Sequence, residues 1–375
     1  MSNAFLILED GTVIEGKAFG APTRNVGEVV FNTSMSGYHE ILTDPSYAGQ
    51  IVTLTQPHIG NYGVNVCDME SSKIHAAGLI VREVSELPSN FRSDASLSAW
   101  LGEHGVPGIS GVDTRSLTRR IREGGVTMGL LASHVEATEI PDLQQALRRA
   151  PSYDSQDFVS SVTVDAPQPV RLGERPHGTV VEVGEGHGAA HCVVLDFGAK
   201  HSILKHLMAA GFRVTRVPHT TSAADILALR PDGVLVSNGP GDPAQLDAQL
   251  QTIRDLAQAC PTWGICLGHQ LISRAYGGET FKLPYGHRGP NQPVQDLRTR
   301  RVEMTSQNHG FAVVEKSMPA CLEVTHINLN DGTIEGIRHT ELPVRAVQYH
   351  PEAGPGPNDA VGFFHEFYLS ATETR

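Results

Sequence analysis

The chain has 375 residues, long enough for two filled cores rather than one, and its 40% hydrophobic and 19% charged content excludes a disordered or low-complexity protein. A formal net charge of -12, with no long run of Lys or Arg, argues against nucleic acid or an anionic membrane as partner. Five cysteines, odd in number and never spaced C-x-x-C, argue against a disulfide framework and a zinc site.

In chain order, the opening "MSNAFLILEDG" has an apolar run too short for the core of a signal peptide and no basic residues before it. No later stretch approaches the roughly 18 apolar residues that span a bilayer, so the expectation is a cytoplasmic protein without membrane contact. Residues 1–150 read as a mixed, strand-rich α/β domain. Within it, "GEVVFNTSMSGYHEILTDPSYAGQIVTLTQPHIGNYG" alternates β-branched stretches with turn residues. Two helices stand out there: "SDASLSAWLGEHG", with Ser93 or Asp94 as N-cap, Leu97, Trp100 and Leu101 as its apolar stripe and Gly105 as stop, and "DTRSLTRRIREGG", capped near Asp113 and ended by Gly124. The arginines of the second read as a solvated face.

Residues 151–190 lose periodicity and read as an inter-domain crossover. Gly184, Gly186 and Ala189 match a relaxed dinucleotide fingerprint, but a strand pattern follows where that motif requires a helix, so it is rejected. From 191 to 375, strand and helix signals alternate: "CVVLDFG", "KHSILKHLMAAG", "RVTRV", "SAADILALR", "DGVLVSNGPGD", "PAQLDAQLQTIRDLAQA" and "TWGIC". Such alternation predicts an open, mainly parallel sheet with helices on both faces and ligands at the carboxyl ends of its strands.

At one such end, "TWGICLGHQLISRAYGG" places Cys266 between a strand and a helix. That is the plan of a nucleophile elbow with Cys in place of Ser. Gly264 and Gly268 flank the turn, where a side chain would crowd it, and the helix N-terminus favours a thiolate. Alone, the pattern also suits a small buried residue in a tight turn. "VRAVQYHPEAGPGP" supplies His350 and Glu352, two residues apart, so that on an extended segment the carboxylate could fix the imidazole. Oxyanion donors are offered by the backbone of Leu267 and by the loop "SNGPGDP" with Gly239 and Gly241, which also reads as a plain turn. Together the three segments point to acyl transfer through a thioester. His269 and His309 lack a carboxylate at strand spacing and read as structural.

"GICLGHQ", "HPE" and "NGPGDP" resemble the class I (triad-type) glutamine amidotransferases. The first half, "GVDTRSLTRRIREGG" included, resembles the N-terminal domain of the small, glutamine-hydrolysing subunits of carbamoyl phosphate synthetases, and "GHRGPNQPV", "SQNHGFAV" and "HPEAGPGPNDA" extend the likeness over nearly the whole chain. The resemblance implies Cys266 as nucleophile, His350 as general base and acid, and Glu352 as its orienting partner. It implies L-glutamine contacts from Ser46, Gly239, Gly241, Leu267, Gln270, Asn308, Gly310 and Phe311.

It also implies a large synthetase subunit that activates bicarbonate with ATP and receives ammonia for arginine and pyrimidine synthesis. This sequence has no G-x-x-x-x-G-K-[ST] loop and no recognisable metal-ligand cluster. No cofactor or metal is therefore expected in this chain, and ATP and Mg are expected only in the large subunit. An amidotransferase serving another synthetase, a free-standing cysteine hydrolase and an idle binding subunit are the alternatives.

Overall fold

The computed structural model describes residues 3–373 and divides them into two compact units, 3–156 and 157–373. In the first, the strands are β1 (Asn3–Leu8), β2 (Val13–Gly20), β3 (Arg24–Asn32), β4 (Gln50–Leu54), β5 (His58–Ile59), β6 (Gly78–Ile80), β7 (Glu83–Val84), β8 (Pro107–Ser110) and β9 (Thr127–Ser133). Seven of them close a barrel in the order β1-β2-β8-β6-β4-β3-β9, which leaves that sheet no open edge. Phe19, Val30, Val52, Leu79 and Trp100 belong to one of its apolar cores.

The helices of this unit are α1 (Tyr38–Thr43), α2 (Leu97–Glu103), α3 (Thr114–Gly124) and α4 (Ile140–Arg149). Asp113 caps α3 as expected, its carboxylate accepting from Ser116 N. The cap of α2 is Ser96, whose hydroxyl accepts from Ala99 N, and not Ser93 or Asp94. Asp94 instead accepts from Val66 N, 28 residues upstream, and Ser93 donates to Ala95 O in the turn before the helix, so neither caps α2.

The second unit carries one eleven-stranded sheet, β11-β10-β13-β12-β14-β15-β20-β19-β18-β16-β17. Its strands are β10 (Gln168–Arg175), β11 (Gly178–Val183), β12 (Ala190–Asp196), β13 (Phe212–Pro218), β14 (Gly233–Val236), β15 (Thr262–Ile265), β16 (Thr280–Asp296), β17 (Val302–Val313), β18 (Leu322–Asn328), β19 (Ile334–His339) and β20 (Val344–Val347). Its helices are α5 (His201–Ala210), α6 (Ala223–Ala228), α7 (Leu250–Ala259), α8 (Leu267–Ala275) and α9 (Gly362–Glu373).

The five central strands β13, β12, β14, β15 and β20 are parallel, as the strand and helix alternation requires, and antiparallel strands extend both edges. One edge is the β10–β11 hairpin, built from the segment that reads as a featureless crossover. Its strands escape the sequence pattern because only Val170 and Gly173 of them are buried, the rest being half-buried or exposed, which leaves no apolar face to alternate.

Both faces of the centre are covered. Val193 and Leu195 of β12 face the core shared with α6, α7 and α8, while Cys192 and Val194 face the one shared with α5 and α9. This period of two on a doubly buried strand explains the unbroken apolar run "CVVL". Helix α7 begins later than its apolar pattern suggests. Residues Pro243–Gln249 form a 3-10 segment in which Leu246 leaves helical geometry. The turn positions this organisation exposes lie at the carboxyl ends of β12, β14, β15 and β20.

Candidate active site

Cys266 joins β15 directly to α8 with φ 56° and ψ -105°, a left-handed conformation that costs a non-glycine residue strain. The neighbouring sequence makes the turn possible. A Cβ on Gly268 would lie 2.1 Å from Val236 O, and one on Gly264 would lie 2.7 Å from the Gly268 carbonyl carbon. With both positions bare, α8 closes onto β14 and β15, and Cys266 N donates to Val347 O of β20 at 2.8 Å. Cys266 is 2% exposed and its thiol donates to Asn308 O at 3.6 Å.

His350 and Glu352 are paired as expected, with Nδ1 2.6 Å from Oε1 and both side chains buried. The geometry that achieves this differs from strand alternation. Strand β20 ends at Val347, and His350 N donates to Ser306 O of β17 at 2.8 Å. A turn then returns Ala353 N to His350 O at 3.1 Å, bringing Glu352 to the Nδ1 edge of the ring. Pro351 suits this turn better than a continuing strand.

Burial by itself disfavours a charged imidazole, but the Glu352 carboxylate and the Cys266 side chain outweigh it and raise His350 above its ordinary pKa. The Glu352 carboxyl moves the other way. Burial opposes its ionisation, yet Lys200 and then His350 hold it down at about 2. Nε2 of His350 has no hydrogen-bond partner among the described residues and is the nitrogen left to exchange a proton.

The two competing histidines lack this arrangement. His269 is fully buried, and desolvation lowers it to about 4. Its Nδ1 lies 3.3 Å from Gln348 Oε1. His309 is pushed well below its usual range by burial, and its Nδ1 lies 2.7 Å from Phe311 O.

The other expected residues of the second unit gather by backbone and packing. Gln270, four residues along α8 from Cys266, donates to Phe311 O at 2.8 Å. A Cβ on Gly239 would touch Leu267 Cδ2 at 2.9 Å and Phe197 O at 2.3 Å, which brings the loop after β14 against the start of α8. Gly241 holds φ 90° in the same loop. Asn308, Gly310 and Phe311 lie on β17, one strand run beside His350. Ser46 belongs to the first unit, buried in the 3-10 turn Pro45–Tyr47, where its backbone donates to Asp44 Oδ1 at 2.9 Å.

Sequence reasoning misses two residues here. Lys200, buried at the start of α5, places its Nζ 3.0 Å from Glu352 Oε1. Gln348, fully buried, accepts from Gln270 Nε2 at 3.1 Å through Oε1 and donates through Nε2 to Cys266 Sγ at 3.7 Å. A lone Lys or Gln carries no motif. The available signal for Gln348 is a polar residue interrupting the apolar run just before "HPE". The fold also gathers His287, His309 and Glu335, although no metal-ligand spacing is visible in the sequence.

A strained cysteine elbow beside a buried carboxylate–imidazole pair, on a parallel α/β sheet, is the arrangement of a class I glutamine amidotransferase domain. The Glutamine amidotransferase class-I family matches residues 193–369, and the Carbamoyl-phosphate synthase small chain, CPSase domain family matches residues 6–131. Proteins named carbamoyl phosphate synthase small chain are similar over almost the full length. The one from Syntrophotalea carbinolica is 50% identical over 97% of this chain and 96% of its own. That from Rhodopirellula baltica is 50% identical over 99% and 96%, and that from Escherichia coli 47% identical over 98% and 97%. The chain belongs to the carbamoyl phosphate synthase small chain family.

Proposed function

We propose that this chain hydrolyses L-glutamine and passes the ammonia to a large synthetase subunit. The observation that carries the reading is the buried Glu352–His350 pair beside Cys266 at a strained elbow. The Cys266 thiolate attacks the side-chain amide carbon, and backbone N–H groups at Leu267 and in the Gly239–Gly241 loop receive the oxyanion. As the C–N bond breaks, His350 gives a proton to the departing nitrogen, releasing ammonia. Water, losing a proton to His350, then attacks the thioester. The C–S bond breaks, and glutamate leaves with the thiolate restored.

Gln270, Asn308, Gly310 and Phe311 are the proposed contacts for the rest of the substrate, and Ser46 joins them on the family resemblance alone. The acceptor reaction is the large subunit's, using bicarbonate, ATP and Mg to make carbamoyl phosphate for arginine and pyrimidine synthesis in the cytoplasm. The test is glutamate release by wild type and Cys266→Ala, each with and without the large subunit. The reading requires release by wild type, faster in the complex, and none by the variant. Equal inertness of both proteins, even in the complex, overturns it.

A further inference from the structure

We propose that His287, His309 and Glu335 form a buried site for a divalent metal ion of the zinc type, tying β16, β17 and β19 together. His287 and His309 are directly opposed in the β16–β17 ladder, and Glu335 comes from β19. One donor atom from each lies within 4.8 Å of the other two. All three residues are at least nine-tenths buried.

The outer sides of both rings are already held. His287 Nε2 lies 2.8 Å from Asp331 Oδ2, and His309 Nδ1 lies 2.7 Å from Phe311 O. A carboxylate or carbonyl fixing the far nitrogen is what orients metal-ligating imidazoles. It leaves His287 Nδ1 and His309 Nε2 as the inward nitrogens, each offering a lone pair when its ring is neutral. His287 Nδ1 has no hydrogen-bond partner among the described residues and stands 3.8 Å from Glu335 Oε1.

With the Gln307 amide oriented as it is and Glu335 ionised, the hydrogens in this cluster do not balance. His309 Nε2 is 3.2 Å from Gln307 Oε1, while Gln307 Nε2 donates to Glu335 Oε2 at 2.9 Å. A neutral imidazole has one N–H, already used on Phe311 O, so two acceptors face each other in a dry interior. Moving that hydrogen to Nε2 transfers the conflict to Phe311 O. A cation among His287 Nδ1, His309 Nε2 and Glu335 removes it. Two imidazoles and a carboxylate suit Zn2+, and at bond lengths of about 2.0–2.2 Å the donors would stand roughly 3.3–3.6 Å apart, an inward movement of about 1 Å or less. Gln307 Oε1 or a water is the fourth ligand.

The rival cation is a proton, making an imidazolium with no metal affinity. Untagged full chain, purified without chelator, is incubated with ZnCl2, dialysed and assayed for zinc by mass spectrometry, then reloaded with Co2+ for its visible spectrum. The proposal expects about one zinc per chain, tetrahedral Co2+ bands, and loss of both in Glu335→Gln and in His287→Ala. Less than about a tenth of an equivalent in wild type overturns it, as does undiminished zinc in a folded Glu335→Gln protein, which would mark adventitious binding elsewhere. Should both variants fail to fold, wild-type stoichiometry and the Co2+ spectrum decide. None of these readouts uses glutamine, so they stand or fall apart from the proposed reaction.

Discussion

Lys200 Nζ lies 3.0 Å from Glu352 Oε1, the same oxygen that receives His350 Nδ1 at 2.6 Å, and all three side chains are buried. Lysine at this depth is the counter-charge that lets the carboxylate stay ionised away from water. Removing one member of a buried pair strands the other, so Lys200→Met is expected to cost about 3 kcal/mol or more in stability. Denaturant unfolding of the two proteins checks this. A midpoint equal to wild type would show that Glu352 does not depend on Lys200.

The same pair fixes a pH window. Glu352 is depressed from 4.5 to about 2, so its contribution to stability is complete above its ordinary pKa and is lost as pH falls through the folded value. His350 is raised from 6.5, so its contribution is complete below that pH and is lost as pH rises through the higher folded value. Both are therefore fully present between about pH 4.5 and 6.5. Glu352→Gln should return His350 toward, or below, its ordinary pKa and erase the alkaline arm. Imidazole titration by NMR in wild type and variant gives the answer, and an unmoved His350 would refute the coupling.

Three buried histidines are candidates for the base, and only His350 of the three carries a carboxylate at hydrogen-bond distance. His350→Asn is expected to lower kcat for glutamate release by at least about a thousandfold, the usual scale for losing a catalytic base. His269→Asn, which removes the ring's hydrogen bond to Gln348, should stay within about tenfold of wild-type kcat. Steady-state kinetics of the two variants decide between them. The reverse order would move the base to α8.

Gln348 bridges Cys266, the proposed nucleophile, and the proposed substrate contact Gln270. Gln348→Leu leaves Gln270 Nε2 its bond to Phe311 O and removes the other, freeing the side chain to reorient. The expected signature is a rise in KM for glutamine of about tenfold, the worth of one neutral hydrogen bond, with kcat changed much less. An unchanged KM with a collapsed kcat would place Gln348 in the chemistry instead.

The legible parts of this fold are those where local rules and tertiary needs agree. The apolar run at 192–195 and the helix 201–210 with its Gly211 stop announce a buried strand and its covering helix, and "GICLG" announces the elbow. The β10–β11 hairpin is not legible because edge strands that bury only Val170 and Gly173 need no apolar face, and the α2 cap is ambiguous because three potential caps lie within four residues. His350 and Glu352 were visible as a pair. Their geometry was not, since a turn and a bridge to Ser306 replace the strand that the spacing suggests. Lys200, Gln348 and the His287–His309–Glu335 cluster arise only when strands distant in sequence are laid side by side.

The elbow itself makes the sharpest steric prediction. A Cβ on Gly268 would meet Val236 O at 2.1 Å and Val236 C at 2.8 Å, both backbone atoms of the neighbouring strand end that cannot rotate away. Gly268→Ala must push α8 off the sheet, so a loss of about 1–3 kcal/mol or more accompanies a misplaced Cys266. Gly124, at the last turn of α3, has nothing within 4 Å of its added Cβ. Gly124→Ala should therefore keep or gain stability, by up to about 1 kcal/mol from helix propensity alone. Denaturant midpoints for the two variants, read beside glutamate release, separate the cases. A Gly268→Ala protein with wild-type stability and turnover would mean that α8 is not held against β14 as the elbow requires, and the strain at Cys266 would lose its cause.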